Sequence, residues 1–259
     1  MLSANRTLRY AFFAALLGTA SPAHAWWDGA GCKFSADRKA TLDTAGAERV
    51  EITARAGDLV VRPVAGTAIT GQGRACVSRE EYLAKTNVFA RREGNTVRVW
   101  VEVPEEFKGI GIFHASLDLT VDVPAALPVS ITDTSGDIKV DGLRVTRIVD
   151  SSGDIAASKL LADVDINDSS GDIRVEKAAG LVRVTDSSGD VVIHGARDVL
   201  IPSDSSGDIV ITQVTGDVRI DSDSSGDITI ADVGRNVQLL ADSTGDVHVS
   251  GVKGTVHVP

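Results

Sequence analysis

Aspartates at a constant spacing are the residues of this 259-residue sequence most capable of chemistry. They occur in pairs within a five-residue motif, Asp-Ser-Ser-Gly-Asp, which appears seven times with Thr replacing one Ser in the first and last copies. The first aspartates are Asp133, Asp150, Asp168, Asp186, Asp204, Asp223 and Asp242; the second are Asp137, Asp154, Asp172, Asp190, Asp208, Asp227 and Asp246. Carboxylates at this density can bind hard cations, or they can accept hydrogen bonds from the backbone of their own turns.

The glycines of the motif set a period of 17 to 19 residues. They are Gly136, Gly153, Gly171, Gly189, Gly207, Gly226 and Gly245. A repeat this short and regular is typical of a solenoid. Each glycine is expected to supply the positive φ that a tight turn requires.

Alternating apolar residues such as Ile173 and Val175 follow each motif, and a second pair such as Val182 and Val184 leads into the next one. This alternation predicts strands with one buried face. A second break separates the two strands, and its glycines are Gly142, Gly180, Gly195, Gly216, Gly234 and Gly254. Each period is therefore strand, turn, strand, turn. Stacked periods predict an all-β fold, a parallel single-chain β-solenoid (a β-helix or roll) with coils of about 18 residues.

The two aspartates of a motif should have different roles. Asp133 shares the inward parity of Ile131, so the first aspartates should accept turn N–H bonds, because a buried carboxylate without donors is costly. Asp137 precedes inward Ile138, so the second aspartates should form an exposed column. Stacked carboxylates about 5 Å apart repel by roughly 1 kcal/mol in water. Either turn hydrogen bonds with screening or Ca²⁺ bound to the second aspartates would offset this; no other cofactor is expected.

Residues 1–25 have the features of a secretory signal peptide. Arg6 and Arg9 precede a short apolar run, and Ala23-His24-Ala25 fits a cleavage site. The run is too short to span a bilayer. We expect an exported chain without an integral membrane span, located in the periplasm or at the cell surface; a retained N-terminal anchor is the alternative.

Cys32 and Cys76 are the only cysteines. An even pair in an exported protein predicts a disulfide, and two separate buried thiols are the alternative. The histidines are scattered, so nothing indicates a zinc site.

The mature chain divides into two parts. Residues 26–130 should form an N-terminal cap with degenerate β-repeats, including a helix from Ser78 to Asn87 capped by Ser78. The Phe107–Phe113 loop is either a functional site on a rigid scaffold or a mobile insertion. Residues 131–259 should form the regular solenoid. Its C-terminal edge is open and could pair with another copy of the chain.

The same two parts of the chain also differ in net charge. Residues 131–259 contain 22 acidic and 11 basic side chains, a net charge of −11, whereas residues 26–130 contain 14 and 13, a net charge of −1. An acidic rod argues against nucleic acid and anionic lipid as partners. It is compatible with cations, basic peptides or polycationic surface components, and with solubility alone.

Three features carry a family resemblance: the Gly-Asp-(Ile/Val) turns, the degenerate copy Gly57-Asp58-Leu59, and the lead-in Val121-Asp122-Val123-Pro124. They resemble a bacterial family of exported β-strand-repeat proteins labelled "putative adhesin", related to head-domain auto-transporter adhesins. The resemblance covers roughly residues 45–259 and implies a parallel β-solenoid in the cell envelope. It carries over no catalytic or binding residue.

We interpret the sequence as a non-enzymatic envelope protein, an adhesin-like scaffold or binding surface. A repeated face suits a repetitive envelope polymer, or another envelope protein, through many weak contacts. The alternative is a carbohydrate-active β-helix enzyme, which would need a cluster of carboxylates or metal-binding acids that breaks the repeat. A third interpretation is an ice- or mineral-binding face made by the serines. No nucleophile-elbow or phosphate-loop motif occurs, and no catalytic residue is predicted.

Overall fold

The computed structural model of the protein describes residues 32–104 and 113–259. The predicted signal peptide, residues 1–25, lies outside the described residues, as does all but the last residue of the Phe107–Phe113 loop.

Strands make up just over half of the described residues, and a 3₁₀ helix spans Glu80–Lys85. The strands are β1 (Phe34–Asp43), β2 (Arg49–Thr53), β3 (Leu59–Val64), β4 (Ala68–Val77), β5 (Asn87–Glu93), β6 (Thr96–Glu102), β7 (Ala115–Pro124), β8 (Pro128–Thr132), β9 (Ile138–Asp141), β10 (Arg144–Val149), β11 (Ile155–Ser158), β12 (Val164–Asn167), β13 (Ile173–Glu176), β14 (Leu181–Thr185), β15 (Val191–Ala196), β16 (Asp198–Ser203), β17 (Ile209–Val214), β18 (Val218–Ile220), β19 (Ile228–Val233), β20 (Val237–Leu239), β21 (Val247–Ser250) and β22 (Val256–His257).

The strands form two sheets that enclose one core. Sheet A has the order β1-β4-β7-β3-β9-β11-β13-β15-β17-β19-β21, and sheet B has the order β22-β20-β18-β16-β14-β12-β10-β8-β2-β6-β5. From β8 onward the chain alternates between the sheets, and each motif lies in the connection from sheet B to sheet A. The predicted all-β parallel solenoid is confirmed.

Register keeps equivalent residues of successive coils directly above one another. Ile155, Ile173 and Val191 pair in parallel across β11, β13 and β15, and each is completely buried. Facing residues of sheet B, such as Val182 and Val184, are also completely buried. The core is a continuous stack of Val, Ile and Leu, because no single coil can bury its own apolar face.

The N-terminal part begins with antiparallel strands and continues as parallel coils. Strands β2 and β3 stack on β8 and β9 in parallel, and β6 and β7 add a further parallel coil. Beyond them β4 is antiparallel to β7, β5 to β6, and β1 to β4. A disulfide joins Cys32, two residues before β1, to Cys76 in β4, so the start of the described chain is covalently fixed to β4.

The helix predicted from Ser78 to Asn87 is wrong in extent and in its cap. The helical residues are Glu80–Lys85 in a 3₁₀ helix, preceded by Arg79 with no side-chain cap bond. The Ser78 hydroxyl instead accepts a hydrogen bond from the backbone N–H of His114 at 3.1 Å. The segment is short because it only bridges β4 of one sheet to β5 of the other and buries Tyr82.

Among the residues described, no helix has the length and apolar character needed to cross a membrane.

Candidate functional site

The second aspartates of the motifs form a hydrogen-bonded column along the rod. The Oδ1 atom of Asp154 accepts the backbone N–H of Asp172 at 3.0 Å, and Asp172 accepts that of Asp190 at the same distance. Equivalent bonds of 2.9 to 3.2 Å link all consecutive members of the column, which we call the outer ladder. Its members are Asp118, Asp58, Asp137, Asp154, Asp172, Asp190, Asp208, Asp227 and Asp246.

The outer ladder contains all seven second aspartates, and each of them is exposed. It also contains Asp58 and Asp118, which the sequence interpretation did not place there. The degenerate copy at Gly57-Asp58 was the available signal for Asp58. Asp118 lies inside a strand, and only its pairing with the next coil reveals its membership. Every ladder carboxylate except that of the terminal Asp246 therefore has one oxygen fixed by a backbone donor, which partly offsets the repulsion between neighbours.

The first aspartates form a second column inside the rod, which we call the inner column. It comprises Asp133, Asp150, Asp168, Asp186, Asp204 and Asp223, each at most 5% exposed. In the first four, Oδ1 accepts the N–H of the following residue at 2.7 Å. Asp242, in the seventh copy, is only partly buried.

Several inner-column oxygens have no hydrogen-bond partner among the described residues. They are Oδ2 of Asp133, Asp150, Asp168 and Asp186, and both carboxyl oxygens of Asp204 and Asp223. A buried ionised oxygen without a donor is unfavourable, so protonation is the alternative state of these groups.

Burial raises the pKa of every inner-column carboxyl. The pKa of Asp133 and of Asp204 rises to about 7, and that of Asp150 and of Asp186 to about 6. Desolvation also raises the pKa values of Asp168 and Asp223. Neighbouring carboxylates add to the effect, and turn N–H bonds oppose it where they are made. Asp133 and Asp204 are therefore the members of the column whose pKa values lie nearest to neutral pH.

The glycines and serines of the motif are constrained by the neighbouring coil. Gly189 has φ of +136°, and a Cβ there would lie 2.0 Å from the carbonyl oxygen of Gly171. The Ser206 hydroxyl donates to the carbonyl of Ser187 at 3.2 Å. Because these hydroxyls are used between coils, they support the turn and do not form an independent array.

The sequence pattern suggests that the second turn of each coil depends on glycine, but the structure shows that not every coil uses one. Its left-handed position is occupied by glycine in some coils, such as Gly142 and Gly195, and by Lys159, Lys177, Gln213 and Asp232 in others. The other glycines predicted for this turn allow neighbouring coils to approach closely. A Cβ on Gly180 would lie 2.3 Å from the Asp163 side chain. The positions Gly216, Gly234 and Gly254 are similarly crowded.

No group of three or more His, Cys, Asp or Glu side chains within residues 32–104 and 113–259 is arranged to hold a metal ion. In the outer ladder one oxygen of every carboxylate except that of Asp246 already accepts a backbone hydrogen bond. These observations favour turn hydrogen bonds over calcium on the seven second aspartates, and calcium stays the untested alternative.

Solved structures of bacterial proteins resemble this chain at low identity. A "putative cell adhesion protein" from Clostridium sporogenes is 10% identical, with 84% of this chain and 99% of that one covered and a TM-score of 0.43. A "putative adhesin" from Bacteroides fragilis is 16% identical, with 84% and 97% covered and a TM-score of 0.42. A "putative lipid binding protein" from Parabacteroides distasonis is 12% identical, with 88% and 98% covered and a TM-score of 0.46.

At these TM-scores the likenesses carry no argument about ligand or activity. The chain has no match among curated proteins. Residues 41–198, more than half of the chain, match the Toastrack family (DUF4097), and the protein belongs to that family.

Proposed function

We propose that the protein is an exported, non-enzymatic binding module of the cell envelope that presents the outer ladder to a repetitive partner. The observation that carries this proposal is the ladder itself. Nine carboxylates lie in one exposed row, and in all of them except the terminal Asp246 the Oδ1 atom is held by a backbone bond. Side chains fixed in this way lose little conformational entropy on binding.

The chemistry of the row favours a partner with positive groups at intervals. Adjacent coils are separated by about 4.8 Å, so the ladder offers one negative group per coil. Each contact would be weak because it is exposed and screened by salt. Several simultaneous contacts would give useful affinity for a polymer or for an envelope protein with a basic surface.

The placement of the carboxylates also supports a binding role over hydrolysis. A glycosidase needs two carboxylates with different environments on either side of its substrate. Here the inner-column groups are buried beneath the turns, and the outer-ladder groups are equivalent to one another.

The last coil offers a surface for contact between copies of the chain. Strands β21 and β22 end their sheets, with no further partner strand among the described residues. Leu240 is 41% exposed and Val256 is 50% exposed beside this edge. Self-association through the edge is part of the proposal, and light scattering of the mature chain would detect it.

The test is cosedimentation of residues 26–259 with the envelope fraction of the bacterium that encodes the protein. The ladder variant is Asp172→Asn/Asp190→Asn/Asp208→Asn, since an amide oxygen can keep each ladder bond while the charge is lost. The control, Asp37→Asn/Asp43→Asn/Glu48→Gln, removes three charges outside the ladder. We expect at least a fivefold loss of bound protein for the ladder variant and little change for the control. Equal retention of the two variants, or no retention of the wild type, would refute the proposal.

A further inference from the structure

We propose that a groove at the N-terminal end of sheet B binds an anionic saccharide. The groove has a volume of about 1630 Å³ and lies on β2, β5 and β6 beside the 3₁₀ helix. The groove is lined by the basic residues Arg55, Lys85, Arg91 and Arg98 and by the aromatic residue Trp100. None belongs to the outer ladder, so the inference goes beyond the proposed function and does not depend on it.

Trp100 is an aromatic platform with a fixed orientation. It pairs with Phe89 across β5 and β6, and the two rings stack with centroids 5.3 Å apart and planes inclined by 24°. The indole Nε1–H donates to the Glu102 carboxylate at 3.0 Å. On the other neighbouring strand its partner is the small residue Thr53, which also lines the groove. The Arg91 guanidinium also lies over the ring, 5.8 Å from its centroid. The ring therefore offers an apolar surface beside a cation, on which the C–H face of a sugar ring can stack.

The cations of the groove divide into paired and unpaired groups. Arg98 is held by Glu51 at 2.9 Å and by Glu93 at 2.7 Å. In contrast, the side chains of Arg55 and Lys85 make no ion pair or hydrogen bond among the described residues. The groove contains five basic side chains and four acidic ones, on a protein of net charge −10. Its lining therefore carries a net charge of +1, in contrast to the acidic molecule as a whole.

The repeat changes at this position. Ala56 lies beside Ser135 in the next coil, and a Cβ on Gly136 would meet the Gly57 carbonyl oxygen at 2.3 Å. Residues 54–58 therefore occupy the place of a motif. In that place Ala54 replaces the first aspartate, and Arg55 replaces the residue that follows it. The coil thus keeps the turn glycine, loses a buried carboxyl, and gains a cation that lines the groove.

These features together select the class of ligand. Small-molecule sites combine an apolar or aromatic surface with a few placed polar groups. Guanidinium groups suit carboxylate and phosphate oxygens, which they can bind in a bidentate manner. A neutral saccharide would use Trp100 but leave Arg55 and Lys85 without an anion. An acidic saccharide satisfies both parts of the groove.

Affinity electrophoresis tests this directly. Residues 26–259 are run in native gels that contain alginate, polygalacturonate or hyaluronan, and in gels that contain neutral dextran. We expect retardation in at least one acidic gel and none in dextran. Trp100→Ala should abolish the retardation, and Arg55→Gln/Lys85→Gln should weaken it at least fivefold.

Two controls separate this binding from general effects of charge and folding. Lys33→Gln/Lys39→Gln removes two exposed cations outside the groove, and Leu161→Ala shortens an exposed apolar side chain on the rod; both should behave as wild type. The ladder variant should also bind normally, which distinguishes this site from the proposed function. No retardation in any acidic gel, or undiminished retardation of the Arg55→Gln/Lys85→Gln protein, would overturn the inference even if Trp100→Ala failed to fold.

Discussion

The backbone N–H of Asp190 donates a 3.0 Å hydrogen bond to the carboxylate Oδ1 of Asp172, one coil earlier in the rod. The bond lies just before β15, in the turn, so a side chain extends the pairing of coils beyond the strands. A neutral amide performs the same task in the opposite turn, where Asn236 Oδ1 accepts the N–H of Thr255 at 3.0 Å.

This precedent predicts the effect of changing one ladder residue. Asp172→Asn should change the free energy of unfolding by less than about 0.5 kcal/mol, because the acceptor oxygen is retained and like-charge repulsion falls. Asp172→Ala should lower it by about 1–2 kcal/mol, because a backbone donor loses its partner. Urea denaturation measures both. Equal losses for the two variants would show that charge, and not the acceptor, is what matters.

The inner column predicts that the rod loses stability as pH rises. Its carboxyls have higher pKa values in the folded chain than in the unfolded chain, so the folded state binds protons more tightly. Their contribution is complete below about pH 4 and declines through the folded values of about 6 to 7. The urea midpoint should therefore be lower at pH 8 than at pH 5.

A variant isolates the groups responsible for this dependence. Asp186→Asn/Asp204→Asn removes two of the raised pKa values while keeping the shape of the side chains. The difference between the midpoints at pH 5 and pH 8 should shrink. A midpoint that rises toward pH 8 in the wild type would contradict the assignment of protons to this column.

The motif glycines should be intolerant of any side chain. Gly189→Ala places a Cβ 2.0 Å from a backbone oxygen and should cost at least about 3 kcal/mol or prevent folding. Gly66 has φ of +108°, and a Cβ added there would meet no atom within 4 Å, so Gly66→Ala tests the backbone strain alone. That control should cost about 1–2 kcal/mol by thermal or urea unfolding, the cost of the backbone strain. Similar costs at both positions would mean that the coils can separate locally.

Calcium should leave the melting temperature unchanged. Every outer-ladder carboxylate except that of Asp246 already uses one oxygen for a backbone bond. Within the described residues, no three acidic, cysteine or histidine side chains converge on a metal position. Thermal melts of residues 26–259 in EDTA and then in millimolar calcium should agree within about 1 °C, since a ligand that does not bind the native state cannot stabilise it. A rise of several degrees would make the second aspartates a calcium site.

The repeated part of the fold could be predicted because its information is local. The period, the alternation around Ile173 and Val175, and the parity of Asp133 and Asp137 are all readable within one coil. Those residues lie where the pattern puts them, with the first aspartate buried and the second exposed.

The unpredicted features depend on contacts between distant residues. Asp118 joins the ladder through Asp58, sixty residues away. The antiparallel strands β1, β4 and β5 follow from a chain reversal that alternation cannot encode, since a strand reads the same in either direction. Lys177 adopts φ of +60° in its second turn, whereas the glycine predicted for that turn, Gly180, lies three residues later and has no left-handed backbone. The groove around Trp100 is lined by residues of β2, β5 and β6, so it could not be predicted without knowing how these three strands pair.

Because the coils stack one above another, the number of sequence periods determines the length of the rod. One additional period of about 18 residues would add one strand to each sheet, one buried carboxyl and one outer charge, and would lengthen the rod by about 4.8 Å. The reversed strands at the N-terminal end cannot accept such a unit, whereas the parallel coils can. Duplication of a single period is therefore a route by which relatives of this protein could evolve different reach while keeping the same cap and groove.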